Sequence, residues 1–158
     1  MAAPTRIGIV VFAILFFVSS TRAQGYVESF NPGIKVGHTL GNYSEWTFGI
    51  ELSYAKVRKA GSIMWGAIFD IDFSKGLTQI HLGAQAGALF GFIGASVGPV
   101  YIVKGAQEEL GVRGTSFFGA LLYPYGAITI SEHYTIPEIG CYAKYYMHLR
   151  GNMDFPAF

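Results

Sequence analysis

Thirteen residues, Glu45 to Val57 (EWTFGIELSYAKV), constrain the fold of this chain more than any other stretch. Trp46, Phe48, Ile50, Leu52 and Tyr54 take alternate positions, and Glu45, Thr47, Gly49, Glu51, Ser53 and Ala55 fill the places between. Strand side chains have a period of two, so this is a ribbon with one bulky apolar face and one small, polar face. The polar face is narrow and contains glycine, as a wall facing a confined space does. The apolar face suits lipid.

Composition explains why lipid enters the argument. Only 13% of the residues are Asp, Glu, Lys or Arg, against about 25% in an average soluble domain, so an ordinary wetted surface lacks its material. The formal net charge is +1 and no Lys/Arg cluster occurs, which argues against a nucleic-acid partner. The single cysteine, Cys141, excludes an intrachain disulfide and a cysteine-rich metal site, and is expected to pack in a wall or face lipid. Residues 1–23 read as an export signal: Arg6 is the positive start, Ile7 to Val18 the apolar run, and Ser19 to Ala23 end in a small residue. Cleavage after Ala23 leaves a single domain over 24–158. An uncleaved anchor is the alternative, but the apolar run is short of the ~20 residues a spanning helix needs.

Taken in order, Gln24 to Pro32 reads as a lead-in closing on an Asn31-Pro32-Gly33 turn, and Ile34 to Leu40 as the first strand. Gly41 to Ser44 turns the chain into the ribbon of Glu45 to Val57, and Arg58 to Gly61 is a short link. Ile63 to Phe73 alternates again, with Met64, Gly66, Ile68, Asp70 and Asp72 on the small face. Leu77 to Ala88 sets Gln79, His81, Gly83, Gln85 and Gly87 on that face, and Leu89 to Phe92 is a turn into a strand over Ile93 to Ile102. Val103 to Gly111 is the longest polar interval and reads as an exposed loop. Strands are then expected over Val112 to Leu122, Ala127 to Glu132 and Glu138 to Leu149, with a turn at Tyr123 to Gly126, a loop at His133 to Pro137 and a tail over 150–158. Within the first of these, Arg113, Thr115 and Phe117 share a face in poor phase with the rest. Eight antiparallel strands within 33–149 imply an all-β chain closed into an up-and-down transmembrane barrel.

Two rival folds compete. Residues 76–103 and 114–131 are free of charge, and Gly83, Gly87 and Gly91 recur every fourth position, the small-residue pattern of packed transmembrane helices. Against a helical membrane protein stand the strict alternation before these stretches, and Gln79, His81, Gln85, Pro99 and Pro124 within them. A soluble, lipocalin-like ligand-binding barrel would point the aromatic faces inward. Too many large side chains would then compete for a lumen that eight strands barely leave open.

With the small face inward, Lys35, Glu51, Asp70, Asp72, His81, Gln85, Arg113, Glu138 and Lys144 form a mixed-charge network that fills the lumen. Buried charges are costly unless paired, so the two signs are expected to compensate. Glu51 is expected opposite a cation, with Lys35 the first candidate and Arg113 or Lys144 behind it. Ser131, Glu132 and His133 supply the parts of an activated nucleophile, but neighbours on a strand face opposite ways, so a solvated loop cluster is the better reading. No catalytic residue, metal site or cofactor is predicted.

These alternating strands, the export signal and the inner charges resemble the small eight-stranded outer-membrane barrel proteins of Gram-negative bacteria. The resemblance covers most of 33–149. It implies outer-membrane lipid and, during biogenesis, the barrel-assembly machinery as partners, a monomer, and a non-enzymatic role in envelope structure, integrity or surface interaction. A lipid-modifying barrel enzyme is the alternative within the same family. Phe158 ends the chain as an aromatic assembly signal does, but Gly151, Asn152 and Pro156 separate it from the last strand. The resemblance further implies that the N-terminus and the links at Arg58, Phe90 and Pro124 are periplasmic, and that Asn42, Ser74, Gln107 and Tyr134 lie in outward loops.

Overall fold

The computed structural model describes residues 26–58, 63–119 and 122–150. Its strands are β1 (Tyr26–Thr39), β2 (Trp46–Arg58), β3 (Met64–Ser74), β4 (Leu77–Ala88), β5 (Ile93–Lys104), β6 (Gln107–Phe118), β7 (Leu122–Ser131), β8 (Thr135–Lys144) and β9 (Met147–Arg150), with 3-10 turns at Gly41–Tyr43 and Leu89–Gly91. Each strand from β1 to β7 pairs antiparallel with the next, and β1 also pairs with β8 and β9, so the sheet closes on itself. The chain is an all-β, eight-stranded, up-and-down antiparallel barrel. The proposed signal (1–23), most of the first link and the tail beyond Arg150 lie outside the described residues.

Closure carries a stagger. Gly33 faces Glu51, and the partners continue through Asp70, His81, Val100 and Gly111 to Ser131. Extending the β7–β8 and β8–β1 registers leads to Tyr134 and back to position 43, ten residues along from Gly33. A stagger of ten over eight strands tilts them by roughly 43° from the barrel axis.

Several boundaries differ from those the sequence suggests. β1 begins at Tyr26 and runs through Pro32 rather than turning at it. Proline lacks a backbone N–H, and its position coincides with the gap between β8 and β9: Tyr145 N donates to Pro32 O at 2.9 Å, and the ring returns no hydrogen bond. β8 and β9 are therefore one wall position interrupted at a proline, in place of one continuous strand from Glu138 to Leu149. The polar interval after Val103 is a hairpin: β5 extends to Lys104, Gly105 turns at φ 60°, and β6 starts at Gln107. The expected turn at Tyr123 to Gly126 lies inside β7, where Pro124 pairs with Cys141 on the β8 side and the β6 ladder ends at Tyr125. β8 likewise starts at Thr135, within the expected loop. Arg113, Thr115 and Phe117 do share the inner face, with the Phe117 ring lying against Gly94.

The charge-free stretches 76–103 and 114–131 form strands, which overturns the helical reading. Among the described residues no helix is long and apolar enough to cross a membrane. The lumen is layered along its axis. Near the end that holds the Leu89–Gly91 turn, Val57, Met64, Phe117, Tyr123 and Tyr142 pack together; near the other, Leu77, Val100, Ile102, Tyr134 and Ile136 do. The ionisable side chains lie between.

Candidate functional site: the charged lumen

Eight of the nine residues assigned from sequence to the inner face are almost fully buried, and the Lys144 side chain is 5% exposed. Their grouping depends on the stagger and on inner-face glycines. Lys35 pairs across the ladder with Gly49, which in turn pairs with Asp72. With no side chain on Gly49, Lys35 Nζ reaches over it to bond Asp72 Oδ2, and lies 3.5 Å from Asp70 Oδ1. Gly33 has the same function between Lys144 and Glu51, its cross-strand neighbours on either side. Lys144 Nζ lies 2.5 Å from Glu51 Oε1. Lys144, one of the two candidates behind Lys35, is thus the partner of Glu51, and Lys35 is committed to the aspartates.

Arg113 ties the opposite walls together. Its Nη2 is 3.0 Å from Glu138 Oε2 and 3.3 Å from Asp72 Oδ2, while Nη1 donates to Gln79 Oε1 and Thr129 Oγ1, both at 3.2 Å. Thr129 Oγ1 donates to the same Gln79 oxygen at 2.8 Å. Glu138 also accepts from Thr47 Oγ1 at 3.0 Å and from the Tyr125 hydroxyl. His81 Nδ1 lies 3.1 Å from Asp70 Oδ2. The tyrosines add their ring faces: Lys35 Nζ is 5.4 Å from the Tyr125 centroid, and Lys144 Nζ is 4.8 Å from that of Tyr142. Gln85 faces inward but joins no charge, donating instead to the carbonyls of Tyr54 and Ala67 at 3.3 Å.

Thr47, Gln79, Tyr125, Thr129 and Tyr142 belong to this network and were not among the expected residues. Gln79 had the right parity beside His81 and could have been found. Pro124 suggests a turn where β7 runs and so hides Tyr125, whereas Thr129 falls within the strand expected over Ala127 to Glu132. Four carboxylates therefore face three permanent cations and a histidine, with Thr47, Gln79, Tyr125 and Thr129 adding hydrogen bonds. Such a core packs the bore and holds strands in register.

Ser131, Glu132 and His133 lie at the β7–β8 turn. Ser131 Oγ accepts from Tyr134 N at 3.2 Å and donates to Tyr134 O, so the hydroxyl closes its own turn. His133 Nδ1 bonds Glu109, which reaches across from β6. That hydrogen bond pushes the His133 imidazole above its usual range. Among the described residues no group of three or more His, Cys, Asp or Glu side chains is placed to hold a metal ion. The fold and lumen define a class, the closed eight-stranded barrel with a charge-packed interior. Comparison with protein-family models and with curated proteins found no match for the chain.

Proposed function

We propose that this chain is a bacterial outer-membrane β-barrel protein, exported by a cleaved signal over residues 1–23, with a non-enzymatic role in envelope structure, integrity or surface interaction. Its partners are outer-membrane lipid and, during biogenesis, the barrel-assembly machinery; it acts as a monomer with its lumen plugged. The observation that carries this reading is the inversion of the wall. Arg113, Glu51, Asp70 and His81 are 0% exposed inside, while Trp46, Ile34, Phe48 and Ile50 are 64%, 64%, 59% and 57% exposed outside. In water that arrangement wastes the hydrophobic effect; in a bilayer it is the stable one.

The height of the wall supports the same reading. Trp46 marks one level, where it packs edge-on against His38, and Trp65 marks another, edge-on against Tyr26. Trp65 pairs with Lys56, ten residues along β2 from Trp46. At ~3.3 Å per residue and the tilt above, the two levels are roughly 24 Å apart, close to the ~25 Å apolar band of an outer-membrane barrel with aromatic girdles. The hairpin ends at Asn42, Ser74, Gly105 and Glu132 lie at one end of the barrel, and the Leu89–Gly91 turn and the start of β1 at the other. By the resemblance these ends are the outward and periplasmic ones.

The test is whether the full chain, expressed in a Gram-negative host, fractionates with outer membrane and migrates faster on an unboiled gel than a boiled one. A water-soluble monomer obtained without detergent would overturn the proposal. Lipid A mass spectra are expected to be identical with and without expression, and a new acyl-chain mass would favour the lipid-modifying alternative.

A further inference from the structure

One side of the lumen has polar atoms that the charge network does not use. His81, Ser96 and Thr115 are 0%, 5% and 4% exposed, and His81 Nε2, Ser96 Oγ and Thr115 Oγ1 have no protein partner. The register gathers them on one patch of wall. Ser96 on β5 lies between Gln85 on β4 and Thr115 on β6. His81 leans toward that row: a Cβ on Gly83 would come 2.8 Å from Nε2 and 2.9 Å from Cε1. Gly98, opposite Arg113 on β6, adds no side chain between them. The β4–β5 ladder itself is interrupted here, passing from His81↔Val100 to Ala84↔Val97, where Pro99 has no N–H to offer. Val100 and Phe117, both buried, close the patch along the axis.

We propose that His81 Nε2, Ser96 Oγ and Thr115 Oγ1 form an internal binding site for one or two water molecules, which bridge the imidazole to the two hydroxyls. Buried polar atoms without protein partners are satisfied by ordered water. The chemistry favours a neutral ligand over an anion. Hydroxyl groups both donate and accept, matching water, and the lumen already holds four carboxylates against three permanent cations. Asp70 accepts only, so Nδ1 carries the ring proton on that side and Nε2 faces the site. The bridge holds the ring against rotation and so positions Nδ1 on Asp70. This inference rests on the barrel interior and not on the membrane, so the two proposals fail separately.

The experiment is solution NMR of the detergent-solubilised chain with labelled histidine. Magnetisation transfer from water to the His81 Hε1 and the Thr115 methyl is expected, together with a protonated Nδ1. Absence of both transfers, or an unprotonated Nδ1, would overturn the proposal without any variant. The Ser96→Ala, Thr115→Val double variant is expected to lose the transfer to His81 while keeping heat-modifiable migration; a folded variant that retains the transfer counts against the site. Crystals soaked in sodium bromide are expected to show no anomalous peak there. A bromide peak between His81 and Ser96 would replace water by an anion.

Discussion

The two halves of the barrel wall solve the same packing problem differently. In mid-lumen, β1, β2, β3 and β8 supply Lys35, Glu51, Asp70, Asp72, Glu138 and Lys144, whereas β4 to β7 supply His81 and Arg113 among Gln, Ser, Thr and Gly. The first half contains most of its own counterions, and two of its ion pairs form over the glycines at 33 and 49. The second half depends on one guanidinium whose fork reaches β3, β4, β7 and β8 together. A dense half can lose one contact and keep others; the sparse half has Arg113 as its one permanent mid-lumen cation among the described residues, beside the weaker His81 to Asp70 and Tyr125 to Glu138 contacts. Replacing Arg113 by Met should therefore be the most damaging change, stranding Glu138 without the cation it pairs with and leaving Asp72 to Lys35 alone, at a cost of about 3–5 kcal/mol. Arg113→Lys should recover only part, since one ammonium cannot reproduce the fork. Urea unfolding in lipid vesicles, followed by Trp46 and Trp65 fluorescence, measures both. An unchanged midpoint for Arg113→Met would dissolve the contrast between the halves.

The dense half should respond differently to a paired change. Lys144→Met alone leaves Glu51 buried without its cation and should cost about 3 kcal/mol. Lys144→Met combined with Glu51→Leu removes both charges and should recover most of that loss, because replacing a whole buried pair by apolar groups is often near neutral. The same unfolding experiment gives the coupling energy. Losses that simply add would show that the two residues do not act as a pair.

The same contrast separates what the sequence discloses from what it conceals. In β2, β3 and β4 the two faces differ so strongly that parity alone sets Glu51, Asp70 and His81 inward. Elsewhere, local signals mislead for identifiable reasons. Pro32 and Pro124 look like breakers, yet a closed sheet tolerates each where a ladder is already interrupted. Glu108 and Glu109 suggest a loop, although β6 includes both and Glu109 pairs with His133. The pairing of Glu51 with Lys144 is not legible in any one strand. It follows from closing β1 onto β8 with a ten-residue stagger, a property of the whole ring. The Gly33 position that makes the pairing possible reads locally as part of a turn.

Inner and outer glycines should differ too. A Cβ at Gly49 would meet Ile71 O at 2.8 Å and collide with Asp72, so Gly49→Ala should overpack the lumen and cost about 1–3 kcal/mol. Gly114, on the outer face, has nothing within 4 Å of an added Cβ, and Gly114→Ala should leave stability within ~0.5 kcal/mol of the parent. Equal urea midpoints for the two variants would mean that the space over Gly49 is not used as the Lys35 to Asp72 contact implies.

The smallest effect belongs to the rim, where His133 and Glu109 clip the β7–β8 turn to β6. His133 is raised above its ordinary value of 6.5 chiefly by its hydrogen bond to Glu109, so the clip contributes fully below that value and is lost as pH rises through the raised one. The 68% exposure of the histidine side chain keeps the contribution small. NMR titration of the full chain in detergent should show His133 and the Glu132 and Tyr134 amides shifting together above pH 6.5, with the lumen resonances unmoved. His133→Gln should abolish the loop shift and leave heat-modifiable migration unchanged. If the lumen signals move with the loop instead, the rim and the charged interior are coupled, and the rim clip is a further support of the sparse half of the wall.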